Sequence, residues 1–235
     1  MKKLEIAGLV IAGALFAVWP IQRTISLRDL LLVLSIGMFT YLAVRARPSR
    51  WWFHIEWPVG LYLILTLWMI VVAVFISEET AWSLDEIQGQ WLKGMLALLT
   101  GGLVAFAVRQ NPTAQRTAVT IVLAVLLLHI VYVDYLGLKM LLETGQIIRG
   151  YASGLTQGTD ASNYLTNMLL VLLLAETFIR LTYRQRYLPL PNAALFVAIL
   201  LALFSVYAEG VRNGIVEIVF ILLVFVVLFV LENRQ

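Results

Sequence analysis

The chain has 235 residues, of which 61% are hydrophobic and 13% charged, with a formal net charge of +3 and a mean hydropathy of +0.90. A water-soluble domain of this size has no interior large enough to hide that much apolar surface, so the composition excludes one and defines a polytopic membrane protein. With no cysteine there is no disulfide framework, and no nucleic-acid partner is expected.

A helix needs roughly 20 mainly apolar residues to cross the hydrocarbon core. Segments approaching that length lie near 6–22, 28–45, 58–77, 90–109, 117–136, 163–182, 190–208 and 213–231. They predict an all-α transmembrane helical bundle of about eight spans, forming one domain over 1–235. The runs are continuous and Leu/Ala-rich, without the alternation of a membrane barrel. Met1-Lys2-Lys3 before an apolar run, with Ala12-Gly13-Ala14 following, has the form of a secretory signal. Because the run continues through Phe16, Val18 and Trp19, it is read as an uncleaved first span.

Pro58, just after Trp57, suits the first turn of the third span. Trp51 and Trp52 beside Arg50 read as an inner-face anchor, and Glu78, Glu79, Asp85 and Glu86 as a solvated outer stretch. Ser83-Leu84-Asp85-Glu86 has the capping-box pattern and predicts a helix start ahead of the fourth span, with Trp82 and Trp91 at headgroup level.

Counting from a cytoplasmic N-terminus, the inner segments carry Lys2, Lys3, Arg45, Arg47, Arg50, Arg109, Arg116, Arg180, Arg184, Arg186 and Arg234. The outer segments keep Arg23, Arg28, Lys93, Lys139, Arg149 and Arg212. This positive-inside bias predicts a cytoplasmic N-terminus and an outward-facing Arg149 and Arg212.

The longest stretch between spans runs from about 137 to 162, on the same face as Arg212. Residues 138–149 have the composition of a short helix lying in the interface. Residues 150–163 are rich in glycine and hydroxyls, which suits either close approach of backbone N–H groups to an anion or sugar, or an ordinary connection in which Asp160 or Ser162 caps the next helix. Further on, Glu209-Gly210-Val211-Arg212-Asn213-Gly214 sets an arginine between two glycines where one apolar run ends and the next begins. A guanidinium there is a fixed fork of donors at interface depth, suited to a phosphate or diphosphate.

These residues resemble the O-antigen ligase and polymerase superfamily of bacterial inner-membrane glycan transferases. Residues 68–77 followed by Trp82-Ser83-Leu84-Asp85-Glu86 look like that family's apolar run ending in serine before a short acidic and aromatic loop. Ile148-Arg149-Gly150-Tyr151 through Asp160-Ala161-Ser162-Asn163-Tyr164-Leu165 is similar to its outward arginine-and-glycine loop leading into a span. Gly210-Val211-Arg212-Asn213-Gly214 stands where the family shows a Ser-Arg-Gly element, with Val211 in the serine position and Asn213 after the arginine. As spacing and hydropathy the resemblance covers nearly the whole chain, although its motifs are short.

The resemblance implies transfer of a glycan from an undecaprenyl-diphosphate carrier to an acceptor hydroxyl, on lipid A–core in ligases, on another glycan in polymerases and on a protein in O-oligosaccharyltransferases. The site would lie on the periplasmic face of the bacterial inner membrane. The diphosphate leaving group gains negative charge as the glycosidic bond breaks, and bidentate arginines stabilise that charge without a metal or other cofactor. Arg149 and Arg212 are the candidates for this catalytic clamp, with Tyr151, Asp160, Asn163, Glu209 and Asn213 as substrate-binding candidates. The family continues with further spans and a large outward loop holding a histidine that activates the acceptor. On this resemblance the chain is an amino-terminal part of such a transferase or a shortened relative.

The remaining polar residues read mostly as structural. Asp29, Asp85, Asp134 and Asp160 are scattered, with no Asp-X-Asp pair for a divalent ion. His54 lies near the inner face, and His129, inside the fifth span, reads as a helix-packing hydrogen bonder. Glu176 and Arg180 are spaced as an i,i+4 ion pair. Glu217, inside the eighth span, needs an ion-pair partner or an interhelical hydrogen bond, and Glu209 is spaced to pair with Arg212. A transporter or a non-catalytic membrane subunit are the readings from other classes. A transporter is expected to show broken spans with polar residues near the midplane, whereas the polar residues here collect toward the outer interface.

The orientation is directly testable. Single cysteines at Ser153 and Gly158 are expected to react with a membrane-impermeant thiol reagent from outside, and one at Ser49 is not. The opposite pattern would place Arg149 and Arg212 on the cytoplasmic side.

Overall fold

The computed structural model describes residues 3–21, 23–45, 57–87, 92–108, 111–146, 159–209 and 212–232. Among these the chain is helical: α1 (Lys3–Val18), α2 (Ile25–Arg45), α3 (Trp57–Phe75), α4 (Thr80–Glu86), α5 (Leu92–Val108), α6 (Pro112–Thr144), α7 (Thr159–Tyr183), α8 (Asn192–Glu209) and α9 (Arg212–Glu232). Eight of these lie on the eight apolar segments of the sequence, and α4 is an additional short helix. Five stretches are long and apolar enough to cross a membrane: Ile25–Leu42, Pro112–Thr144, Ser162–Tyr183, Asn192–Glu209 and Gly214–Glu232. Leu4–Val18 and Gly60–Phe75 are shorter apolar helices.

Two compact units are formed, one from Met1–Leu31 with Asn111–Gln235 and the other from Leu32–Gln110. In the second unit Pro58 stands in the first turn of α3, as its fixed φ favours. Ser83 is not a helix cap. It lies inside α4, which starts after Glu79, and its Oγ is 2.7 Å from Ser77 Oγ.

The first unit holds the longest helix. Asn111 caps α6 by accepting the Ala114 N–H at 3.2 Å, and Pro112 follows in the first turn, where its missing N–H costs nothing. Asn111 also donates to Glu5 Oε2 at 3.1 Å, tying α6 to α1. At the other end Gly145, at φ +71°, closes α6 with its N–H on Leu141 O. The separate interfacial helix expected from residue 138 is therefore absent. Residues 138–144 continue α6 to Thr144, and α7 already starts at Thr159. Residues 147–158, between them, lie outside the described set.

α6, α7 and α8 pack on one another around Leu126, Ile130, Leu169, Leu173, Leu195 and Ala202. α9 packs on α7, with α8 as a minor neighbour, and contributes Ile218, Ile221, Leu222 and Phe225. Its Val216, Val219, Phe220, Leu223 and Val227 remain exposed, as a lipid-facing helix requires.

The turn between α7 and α8 is locked by the pair predicted at i,i+4. Arg180 Nε donates to Glu176 Oε1 at 2.6 Å, and the Tyr187 and Leu188 N–H groups donate to the same carboxylate at 3.2 and 3.0 Å. The guanidinium also reaches Asn192 Oδ1, Leu188 O and Leu190 O. Glu176 is 2% exposed, so removing one partner strands the other. Glu176→Ala is expected to lower stability by about 3 kcal/mol or more in detergent unfolding, with Arg180→Ala similar. Unfolding unchanged by either substitution would show that the lock does not hold the turn.

Candidate functional site

At the other end of the same four helices, polar side chains converge among apolar neighbours. α7 carries them in two adjacent stripes, because residues four apart stand above one another on a helix. Ser162 and Thr166 face α8. Their hydroxyls donate to Glu209 Oε1 at 2.5 and 2.9 Å. Asn163 and Asn167 face α9, and both donate through Nδ2 to Glu217 Oε2, the former at 2.9 Å.

The α8 side continues to α6. Ser205, one turn before Glu209, donates to Asp134 Oδ1 at 2.6 Å. His129 Nε2 lies 3.0 Å from Ser162 Oγ. With the single Ser162 proton given to Glu209, the contact to His129 requires the Nε2–H tautomer of the imidazole.

Ser162, Thr166, Ser205 and Glu209 are fully buried, and Asn163, Asn167 and Asp134 nearly so. Yet Asp134 Oδ2, Glu209 Oε2, Asn163 Oδ1 and Asn167 Oδ1 take no hydrogen bond from any described residue. All four are acceptors. The opposite end contrasts sharply, because both oxygens of Glu176 are engaged. Among the described residues no three histidine, aspartate or glutamate side chains are grouped to hold a metal ion.

Beside this end, a groove of about 380 Å³ runs between α7 and α9, bordered by Tyr164, Asn167, Val216, Glu217, Phe220 and Ile221. Close approach of the two helices depends on Gly214. A Cβ there would overlap Asn163 Oδ1 and come within 3.0 Å of Val206 Cγ1.

Of the residues singled out by sequence, Asn163 and Glu209 are brought into the polar end, where both are engaged in interhelical hydrogen bonds. Arg212 and Asn213 open α9, and Asp160 lies in the first turn of α7. The side chains of these three, and Arg149 and Tyr151 altogether, lie outside the described residues. Glu217 has interhelical hydrogen bonds, one of the two arrangements expected for it, and His129 is the packing hydrogen bonder the sequence predicts. Sequence reasoning missed Ser162 as a bridge, Thr166, Asn167, Ser205 and the role of Asp134. The available signal was polar pairs four apart, 162/166, 163/167 and 205/209, inside apolar helices.

No known family, curated protein or solved structure matches this chain.

Ser162 serves two partners, so its loss leaves a buried carboxylate and a buried imidazole each one hydrogen bond short. Ser162→Ala is expected to lower stability by about 1–3 kcal/mol in detergent unfolding, and Ser162→Thr by less. A wild-type midpoint for Ser162→Ala would mean that the bridge contributes nothing.

Proposed function

We propose that this membrane protein is a glycan transferase of the O-antigen ligase type. It moves a glycan from an undecaprenyl-diphosphate carrier to a hydroxyl of lipid A–core at the periplasmic face of the bacterial inner membrane. Arg149 and Arg212 hold the diphosphate in this reading.

One observation carries the proposal. Apart from the Glu176–Arg180 lock at the α7–α8 turn, the buried polar groups of α6–α9 gather toward one end of the bundle, where α7 and α9 begin and α8 ends. Arg212 opens α9 at that end, and Arg149 belongs to the polar sequence between α6 and α7. A lipid carrier presents its diphosphate at the membrane surface and keeps its hydrocarbon in the bilayer, so its reacting bond lies at the level of such helix ends. Continuous α6, α7, α8 and α9 with polar groups at one end favour interface chemistry over a transport path built on broken helices at the midplane.

Chemically, the arginines act on the leaving group. Two parallel N–H···O bonds from a guanidinium neutralise charge developing on the bridging phosphate oxygen as the sugar departs. The acceptor hydroxyl gives its proton to a base in the same reaction, and among the described side chains Glu209, Asp134 and Glu217 are the carboxylates of this end, with Asp160 in the first turn of α7.

In transfer assays with the full-length protein, carrier-linked glycan and lipid A–core, Arg212→Ala is expected to lower the rate on the order of 100-fold. Arg212→Lys should lose most of the activity despite keeping the charge, because an ammonium does not reproduce the bidentate geometry. Arg149→Ala should impair transfer and Arg186→Ala should not. Wild-type rates from well-expressed Arg212→Ala would sink the proposal.

A further inference from the structure

α9 is apolar nearly all round, and most of its surface is exposed to lipid. Such a helix has little to choose one rotation about its axis over another, since lipid tails are as apolar as the side chains it packs against. A turn by one residue swings every side chain by about 100°. Something polar must set the rotation, and among the described side chains half-buried Glu217 is the polar one that α9 sets against α7 near its head.

We propose that Asn163, Asn167 and Glu217, with Gly214, form a positioning clamp that fixes the rotation and height of α9 and thereby the place of Arg212 at its head. Two donors one turn apart on α7 converge on one carboxylate oxygen, so both the rotation and the axial register of α9 are specified. Three residues before Glu217, Gly214 lets α9 touch the Asn163 amide directly. Asn163 is thus held from two sides, through Nδ2 by Glu217 and along Oδ1 by the Gly214 backbone. Along α9, Arg212, Val216 and Phe220 are four apart and share one stripe, and Val216 and Phe220 border the groove between α7 and α9. With the clamp closed, position 212 of the helix falls in register with Val216 and Phe220. Rotation by one residue would turn that stripe away from the groove.

The clamp is distinct from the network around Glu209, whose hydrogen bonds among the described residues join α6, α7 and α8. It acts through shape and hydrogen bonding. An amide at position 217 keeps one oxygen to accept both asparagines, whereas an apolar side chain keeps none. Glu217→Gln should therefore preserve the clamp and Glu217→Leu should break it. Gly214→Ala breaks it from the other side while leaving every polar group in place.

The inference rests on the reading of Arg212 as a diphosphate ligand, and the experiment separates the two. Affinity for undecaprenyl diphosphate is measured with the full-length protein in nanodiscs, for wild type, Arg212→Ala, Glu217→Leu, Glu217→Gln, Gly214→Ala and the double variant Arg212→Ala/Glu217→Leu. Arg212→Ala is expected to weaken binding at least roughly 30-fold, Glu217→Leu and Gly214→Ala each about 10-fold, and Glu217→Gln by less than about twofold. The double variant should bind like Arg212→Ala alone, because the clamp acts on binding only through Arg212 and has nothing left to position once the arginine is gone. Should Glu217→Leu fail to fold, Gly214→Ala carries the same comparison. Wild-type affinity of Arg212→Ala would refute the diphosphate reading itself. A weakened Arg212→Ala beside unaffected Glu217→Leu and Gly214→Ala would overturn the clamp alone. So would losses that add in full to that of Arg212→Ala, or a Glu217→Gln as impaired as Glu217→Leu.

Discussion

A carboxylate inside a membrane bundle has to be answered by protein donors, because hydrocarbon offers none. In this chain α7 answers on behalf of its neighbours. Ser162 and Thr166 serve Glu209 of α8, Asn163 and Asn167 serve Glu217 of α9, and within α7 itself Arg180 serves Glu176 at the far end. The apolar contacts around Leu169, Leu170 and Leu173 hold these helices together. Dispersion contacts are tolerant of sliding and rotation, whereas hydrogen bonds to one oxygen are not. The order and register of α7, α8 and α9 therefore depend on the polar residues of one helix.

The two ends of α7 use similar chemistry to different effect. From Asn163 to Glu176 is thirteen residues, about 20 Å along the helix. At the Glu176 end both carboxylate oxygens are engaged, and the guanidinium of Arg180 is spread over a side-chain amide and two backbone carbonyls. That end is closed and structural. At the Asn163 end, Asp134, Glu209 and both asparagines each keep a buried oxygen without a donor among the described residues. Unanswered buried acceptors cost stability, and their grouping toward the end where α9 starts supports the proposed site.

Much of the fold was legible because a membrane span announces itself by length and hydropathy alone. The i,i+4 spacing of Glu176 and Arg180 was equally plain, and so was the need of Glu217 for a partner. Boundaries were less so. Gly137 reads as a breaker, yet it is buried inside α6, where Leu138 to Thr144 simply continue the helix to a left-handed Gly145. Ser83 reads as a cap, but the chain turns into α4 before it. The site was legible only in part. Polar residues at 162, 163, 166 and 167 are visible in the sequence, but their division into two stripes serving different helices depends on which neighbours pack there, and one residue of rotation would reassign them all. The contact between Gly214 and Asn163 joins residues far apart in the chain, and neither carries a local sign of it.

The central claim is that the guanidinium at the head of α9 holds the phosphates of a lipid carrier. The most direct measurement is dipolar recoupling between nitrogen-15 in the arginine side chains and phosphorus-31 of undecaprenyl diphosphate, with the full-length protein in lipid. The account predicts nitrogen-to-phosphorus dephasing at hydrogen-bonding range that falls when Arg212 is replaced by lysine. Dephasing unchanged by that replacement, or none in the wild-type protein saturated with carrier, would contradict it.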